Sequence, residues 1–228
     1  MSRYYYEEAI ILSGKKVGEA NLLLSIYGKT KGKYQVIAPG ALKLKNRLRG
    51  RVDPFTFGKG YFVIRRNYDW LINWEVYDYY LEIKRDLEKY FSASKLVNIL
   101  NEVIPFQAPD KDVFMMLLKT LNNLKYKNIR NVDDIFLLKL LQQQGYVTSI
   151  PYVCGKCGKN LENNESIFID VNENKAYCKD CRNFGISISF EELRLINSII
   201  DSDIELTLNL DLSDSIREII KRYKEKAI

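Results

Sequence analysis

All four cysteines of this 228-residue chain fall in one stretch, "CGKCGKNLENNESIFIDVNENKAYCKDC": Cys154 and Cys157 two residues apart, twenty residues of insert, then Cys178 and Cys181 two apart. A two-residue gap lets a tight turn aim two thiolates at one ion, and the insert is long enough for a hairpin to return the second pair and complete a tetrahedron. Gly155 and Gly158 ease the first turn, while Lys156, Lys159 and Lys179 offset the charge of four thiolates. The spacing predicts one structural Zn2+ per chain: four protein ligands leave no position for water, so the ion holds the fold together rather than doing chemistry. Two disulfides or a redox pair are the competing readings. A cytosolic chain disfavours the first, and a thioredoxin-like site needs one CxxC rather than two matched knuckles. An iron-sulfur cluster uses the same four ligands and stays open on spacing alone.

The second constellation is "LKLKNRLRGRVDPF", which sets Lys43, Lys45, Arg47, Arg49 and Arg51 at two-residue spacing. If extended, the stretch points all five cations to one side at intervals of about 7 Å, a repeat similar to that of phosphates along a nucleic-acid strand. Lys29, Lys31 and Lys33 continue the period upstream, and Arg65 with Arg66 closes a later strand. Net charge is +6, but residues 29 to 66 hold eleven Lys or Arg against Asp53 alone. A run of cations is often only a solvated face. Such local asymmetry on a small domain points instead to a polyanion, and makes these ten cations the candidate DNA contacts. Tyr61, Phe62, Tyr68, Trp70, Trp74 and Tyr77 supply rings for base stacking. Alternation of Trp70, Ile72, Trp74 and Val76 with their neighbours equally suits a strand burying one face, and core packing is expected to claim at least half of the six rings.

Nothing in the chain reads as catalytic. It contains no histidine, which removes the commonest general base, the usual hydrolytic triads and the open catalytic zinc site. No P-loop, GxGxxG fingerprint or nucleophile elbow is present. The paired acids Asp133–Asp134 and Glu191–Glu192 sit at expected helix starts, where they complement the dipole. A binding protein requires none of the missing groups, so a non-enzyme with no small-molecule substrate is expected.

The elements that would position these groups follow from periodicity. From Tyr5 to about Tyr80 the chain alternates short β-prone runs with glycine turns, predicting five strands in a small barrel, of the oligonucleotide-binding (OB) or the SH3-like kind. After Tyr80 the apolar period becomes helical at Leu87, Tyr90, Phe91, Val97, Leu100 and Ile104. Further helices are expected from Asp110, over "VDDIFLLKLLQQQGY" up to a Gly145 cap, after a Ser189/Glu192 capping box, and from Ser213. The expected class is α+β multidomain: an OB-like β-barrel over residues 1–80, then a helical domain over 81–228 with the four-cysteine zinc-binding insert at about 151–184. "MSRYYYEEAIIL" lacks the charge and apolar pattern of a signal peptide, and no apolar stretch reaches membrane-spanning length, so a cytoplasmic protein is expected.

Two longer stretches resemble the bacterial recombination mediator family RecO. In "EAIILSGKKVGEANLLLSIYGKTKGKYQVIAPGALKLKNRLRGRVDPF" the likeness is a Glu-Ala-hydrophobic opening, Gly-Glu before one strand, Gly-Lys before the next, then Gly, a basic run and Pro-Phe. In "FLLKLLQQQGYVTSIPYVCGKCG" it is a leucine-rich helix ending in Gly-Tyr just before the first cysteine pair. The resemblance implies an OB domain followed by a helical domain with a zinc-binding insert. It further implies binding of single- and double-stranded DNA, annealing of complementary strands, and loading of RecA at gaps with RecR and single-stranded DNA-binding protein (SSB), in the bacterial nucleoid. Family members without the full cysteine set exist, so the resemblance does not make zinc part of the activity. Rival readings from other classes are a zinc-ribbon adaptor that only bridges proteins and a carboxylate nuclease using a divalent metal.

Overall fold

The computed structural model describes residues 3–162, 164 and 166–227. The chain divides after Tyr126 into two compact units, Met1–Tyr126 and Lys127–Ile228.

In the first unit, strands β1 (Tyr4–Val17), β2 (Asn21–Gly28), β3 (Gly32–Ala38), β4 (Phe57–Val63) and β5 (Asp69–Asp78) close a barrel in the order β1-β2-β3-β5-β4. Closure depends on the long first strand, which pairs antiparallel with β4 from Tyr4 to Ile10 and with β2 from Ala9 to Val17. An irregularity between Ile11 and Ser13 lets it bend from one partner to the other. The remaining seam is a short parallel contact, Val36 opposite Asp69 and Ile37 opposite Trp70. This is the OB arrangement, and it decides between the two barrels that periodicity left open. Side chains alternate into a core of Ala9, Ile11, Leu24, Ile26, Val36, Phe62, Leu71 and Trp74. In β5 the expected alternation breaks. Phe62 faces Leu71 and Tyr61 faces Asn73, so Ile72 is an extra residue, and Trp70 and Ile72 lie exposed while Trp74 is buried.

Three helices complete this unit: α1 (Leu81–Lys84), α2 (Leu87–Val103) and α3 (Lys111–Tyr126). Asp86 caps α2 by accepting from the Glu88 and Lys89 amides, and Asp110 likewise starts α3 through Asp112 and Val113. The Phe114 ring packs 6.4 Å from Tyr27 and 6.2 Å from Phe57, and Phe55 meets Tyr90 edge-on at 5.2 Å. The change of period after Tyr80 suggests a boundary there, with domains of 1–80 and 81–228. Compactness divides the chain later, because these contacts join α2 and α3 to the barrel, and Lys84 of α1 donates to the Thr56 hydroxyl at 2.8 Å.

A tight point is Gly32, at φ 69°, where a Cβ would stand 2.3 Å from the Ala108 carbonyl oxygen. Beside it the Gln107 amide donates to the Lys33 oxygen at 2.8 Å. Gly32→Ala is therefore expected to combine left-handed strain with a backbone clash, costing about 2 kcal/mol or more. Thermal unfolding should reveal it as a lowered Tm; an unchanged Tm would mean that the α2–α3 connection is not fastened there.

The second unit is built on α4 (Val132–Gln143), which buries residues nearly all round: Val132, Ile135, Phe136, Leu137, Leu138, Leu140 and Leu141. It ends at Gly145 (φ 79°), where the Tyr146 amide reaches back to the Leu141 oxygen at 2.9 Å. Around it stand the sheet β7-β6-β8 (β6 Ile167–Asp170, β7 Lys175–Cys178, β8 Ile186–Ile188) and helices α5 (Phe190–Asp201), α6 (Ile204–Thr207) and α7 (Asp214–Ala227). Ser189 and Glu192 form the expected capping box on α5. Helix α7 buries Ile216, Ile219, Ile220 and Tyr223, the four residues its period singles out. The one-turn helices α1 and α6 are too short to leave a period in the sequence.

Candidate metal centre and nucleic-acid interface

The sulfur atoms of Cys154, Cys157, Cys178 and Cys181 all lie within 4.8 Å of one another. Cys157 and Cys178 are 3.8 Å apart, the edge of a tetrahedron of about 2.3 Å metal–sulfur bonds and far beyond a disulfide. Backbone pairing builds the cluster. The first knuckle is a loop closed by the Cys154 amide on the Lys159 oxygen (2.8 Å) and the Gly158 amide on the Cys154 oxygen (2.9 Å). It lies against β7 through the Gly155 amide and the Ala176 oxygen (2.8 Å). In the second knuckle the Cys178 oxygen accepts from the Cys181 and Arg182 amides, both at 3.0 Å. Burial pushes the Cys154 thiol up, but backbone N–H groups of Cys157, Cys178 and Lys156 outweigh it and bring it down to about 6. The neighbouring thiols hold Cys181 well above the ordinary cysteine range. Four thiols so placed, one already poised as a thiolate, suit a metal ion.

The knuckles are tied to their unit by polar contacts that the cysteine spacing does not reveal. Asn197 on α5 clasps Ile150 from both sides, accepting from its amide and donating to its oxygen, each at 2.8 Å. At the tip of the β6–β7 hairpin, Asn174 bonds Thr148 and accepts from the Tyr223 hydroxyl at 2.6 Å. Lys226 donates to the Val171 and Asn172 oxygens.

The basic stretch 39–56 is not a strand. It folds as consecutive turns, with the amides of Lys43, Asn46, Arg49 and Arg51 bonded to the oxygens of Gly40, Lys43, Asn46 and Leu48. Ala41, Leu48 and Val52 point inward and belong to the barrel core. Lys43, Lys45, Arg47, Arg49 and Arg51 are left at the surface together with Leu42 and Leu44, and among the described residues none of the five cations is in a salt bridge. The cations therefore share one loop, but the regular 7 Å comb is corrected: in a turn, residues two apart do not point the same way.

The upstream cations fare differently, because Glu7 pins the β2–β3 turn by accepting from the Thr30 amide and hydroxyl. Lys29 is paired with Glu8 at 2.7 Å, and the Lys31 ammonium sits 3.5 Å above the Tyr5 ring. Lys33 is 2% exposed, donates to the Asn101 oxygen at 2.8 Å, and burial lowers its pKa. It is withdrawn as a DNA contact; its ammonium joins β3 to the end of α2. Arg65 and Arg66 are exposed, Arg65 with its guanidinium 4.8 Å from the Trp70 ring.

Of the six candidate stacking rings, Phe62 and Trp74 are buried in the core, whereas Tyr68, Trp70 and Tyr77 are exposed. The core thus claims fewer than expected. On the outer face of β1, β4 and β5, Tyr61 packs between Tyr4 (5.6 Å) and Tyr6 (4.9 Å). Sequence reasoning misses Tyr4 and Tyr6, although the alternation in "YYYE" places them opposite the inward-facing Tyr5.

The amino-terminal domain model described as "Recombination protein O N terminal" matches residues 1–80, and that described as "Recombination protein O C terminal" matches 84–227. The chain belongs to the recombination protein O family. Among its curated relatives are proteins named DNA repair protein RecO from Desulforamulus reducens (25% identical, covering 99% of this chain and 92% of that protein), Thermoanaerobacter sp. (25%, 94% and 87%) and Roseiflexus sp. (29%, 94% and 76%). Membership places the chain in a family of DNA repair and recombination, and no described helix is long and apolar enough to cross a membrane. The stretches that carry the RecO likeness are structural fasteners: Phe55 of the Pro-Phe pair is buried with its amide on the Ile11 oxygen at 2.7 Å, and Gly145-Tyr146 ends α4.

Proposed function

We propose that this protein is a DNA-binding mediator of recombination and repair. It binds single- and double-stranded DNA through the barrel loop 39–56, anneals complementary strands, and acts with RecR and SSB in loading RecA. The observation that carries the reading is the loop itself: five surface cations, none in a salt bridge among the described residues, on a segment anchored to a closed barrel through Ala41, Leu48 and Val52. Annealing needs no catalytic group. Cations that neutralise two backbones lower the repulsion between them, and pairing then finds its register without ATP. Binding of this kind is salt-sensitive and weakly sequence-selective, since phosphate contacts position a duplex without reading it. Arg65 and Arg66, at the β4–β5 turn, and Lys31, at the β2–β3 turn, lie at the opposite end of the barrel from the loop and offer a second group of cations.

The cysteine cluster fits one structural Zn2+. Cys154, Cys157, Cys178 and Cys181 would hold it, and four thiolates complete its coordination, so that it fastens the knuckles and performs no reaction. A protein of this kind works in the bacterial cytoplasm, at the nucleoid. A salt titration of DNA affinity, with and without the five loop cations, tests the reading.

A further inference from the structure

The barrel carries a second surface that phosphate neutralisation does not explain. On the outer face of β1, β4 and β5, cross-strand register sets Tyr4 beside Val63, Val63 beside Trp70, and Tyr6 beside Tyr61. Tyr4 is 50%, Tyr6 65% and Trp70 39% exposed. Three of these rings touch, and cations lie on the outer two positions: Lys59 is 5.3 Å from the Tyr6 ring and Arg65 4.8 Å from that of Trp70. Large rings standing together in water are expensive, and a contiguous exposed apolar patch marks a binding face.

Charge selects the occupant. Exposed Arg3, Arg65 and Arg66 border one end of the face, where the Ile64 amide bonds the Arg3 oxygen at 2.9 Å. The carboxylates nearby are engaged: Asp69 at the arginine end accepts from the Tyr5 hydroxyl and the Arg65 amide, and at the other end Glu8 is paired with Lys29 and Glu75 stands opposite Lys59. Aromatic faces flanked by cations suit a strand whose bases are unstacked and whose phosphates need neutralising. We propose that this face is a stacking platform for unpaired bases, so that it binds single-stranded DNA and rejects duplex, whose bases are already stacked. The inference rests on the DNA-binding reading above and divides the labour within it: the loop 39–56 holds phosphates of either form, and the platform selects the open strand.

Tyr4→Val, Tyr6→Val and Tyr61→Val together remove the rings while keeping residues suited to a strand. The triple variant is expected to lose roughly ten- to a hundredfold in single-strand affinity, with duplex affinity and the salt dependence unchanged. The triple Tyr→Phe variant should bind as the unaltered protein does. Independently of any variant, an oligonucleotide of abasic sites with the same number of phosphates should bind the unaltered protein as weakly as normal single strand binds the Val variant. Equal binding of abasic and normal strands would overturn the platform, as would equal losses on single strand and duplex. So would a shift of oligomeric state in the Val variant, which would make the face a contact between copies. Each of these leaves loop-dependent DNA binding standing, whereas failure of the unaltered protein to bind any DNA would remove the functional reading itself.

Discussion

Alanine at Lys43, Lys45, Arg47, Arg49 and Arg51 together should flatten the salt dependence of DNA binding. If all five touch phosphate, the slope of log K against log salt becomes shallower by about 3.5 on single strands and about 4.5 on duplex. At ~0.1 M salt the single-strand figure corresponds to a loss of roughly three orders of magnitude in affinity. The fold should survive. All five side chains lie at the surface, and the residues that anchor the loop, Ala41, Leu48 and Val52, are untouched, so stability should change by no more than about 0.5 kcal/mol per site. Lys33→Ala supplies the opposite control: it removes a buried hydrogen bond to Asn101, lowers Tm, and leaves the slope alone. Fluorescence anisotropy with labelled oligonucleotides at several salt concentrations measures the slopes, and thermal unfolding the control. An unaltered slope in the fivefold variant would hand the loop to an acidic protein partner and favour the adaptor reading, and magnesium-dependent cleavage would favour the nuclease.

Loss of the metal should have the other large effect. Structural zinc contributes about 10–16 kcal/mol in zinc-finger peptides at neutral pH, comparable with or larger than the whole stability of a typical domain. Elemental analysis should find one zinc per chain, and Cys154→Ser or Cys178→Ser should lose it. Both sulfurs are buried within the cluster, so neither serine can keep the coordination complete. The expected result is a steep fall in the unfolding temperature of the second unit and rapid proteolysis between Tyr146 and Ile188. Acid should do the same. Protons compete with the ion for the four thiolates, so the stability that the metal supplies is present at neutral pH and lost as pH falls. Protein purified without chelators that held no zinc would refute the tetrathiolate assignment, and iron with sulfide would replace it by a cluster.

How much of this can be read in advance depends on the distance over which each feature is decided. Helices α2, α3, α4, α5 and α7 announce themselves because their periods, capping residues and stops lie within a few turns of one another. Asp86, Asp110, Ser189 with Glu192, and Gly145 all act on amides or oxygens no more than five residues away. The cysteine cluster is legible for the same reason: two short gaps fix each pair of sulfurs locally, and the hairpin between them only has to close. Lys33 cannot be placed from sequence, since the oxygen that takes its ammonium belongs to Asn101, far along the chain.

The sequence alone thus determined the order of the barrel strands and the longer helices, the gathering of four cysteines and the place where positive charge collects, each governed by residue type and near-neighbour spacing. Tertiary structure decided which way those charges face. Residues 39–56 turn rather than extend because Ala41, Leu48 and Val52 are drawn into a barrel closed by distant strands, and the cations take the directions that remain. The Ile72 bulge, the outward rings of Tyr4 and Tyr6, and the joining of α1 to α3 with the barrel follow equally from packing between remote segments, which no local period records.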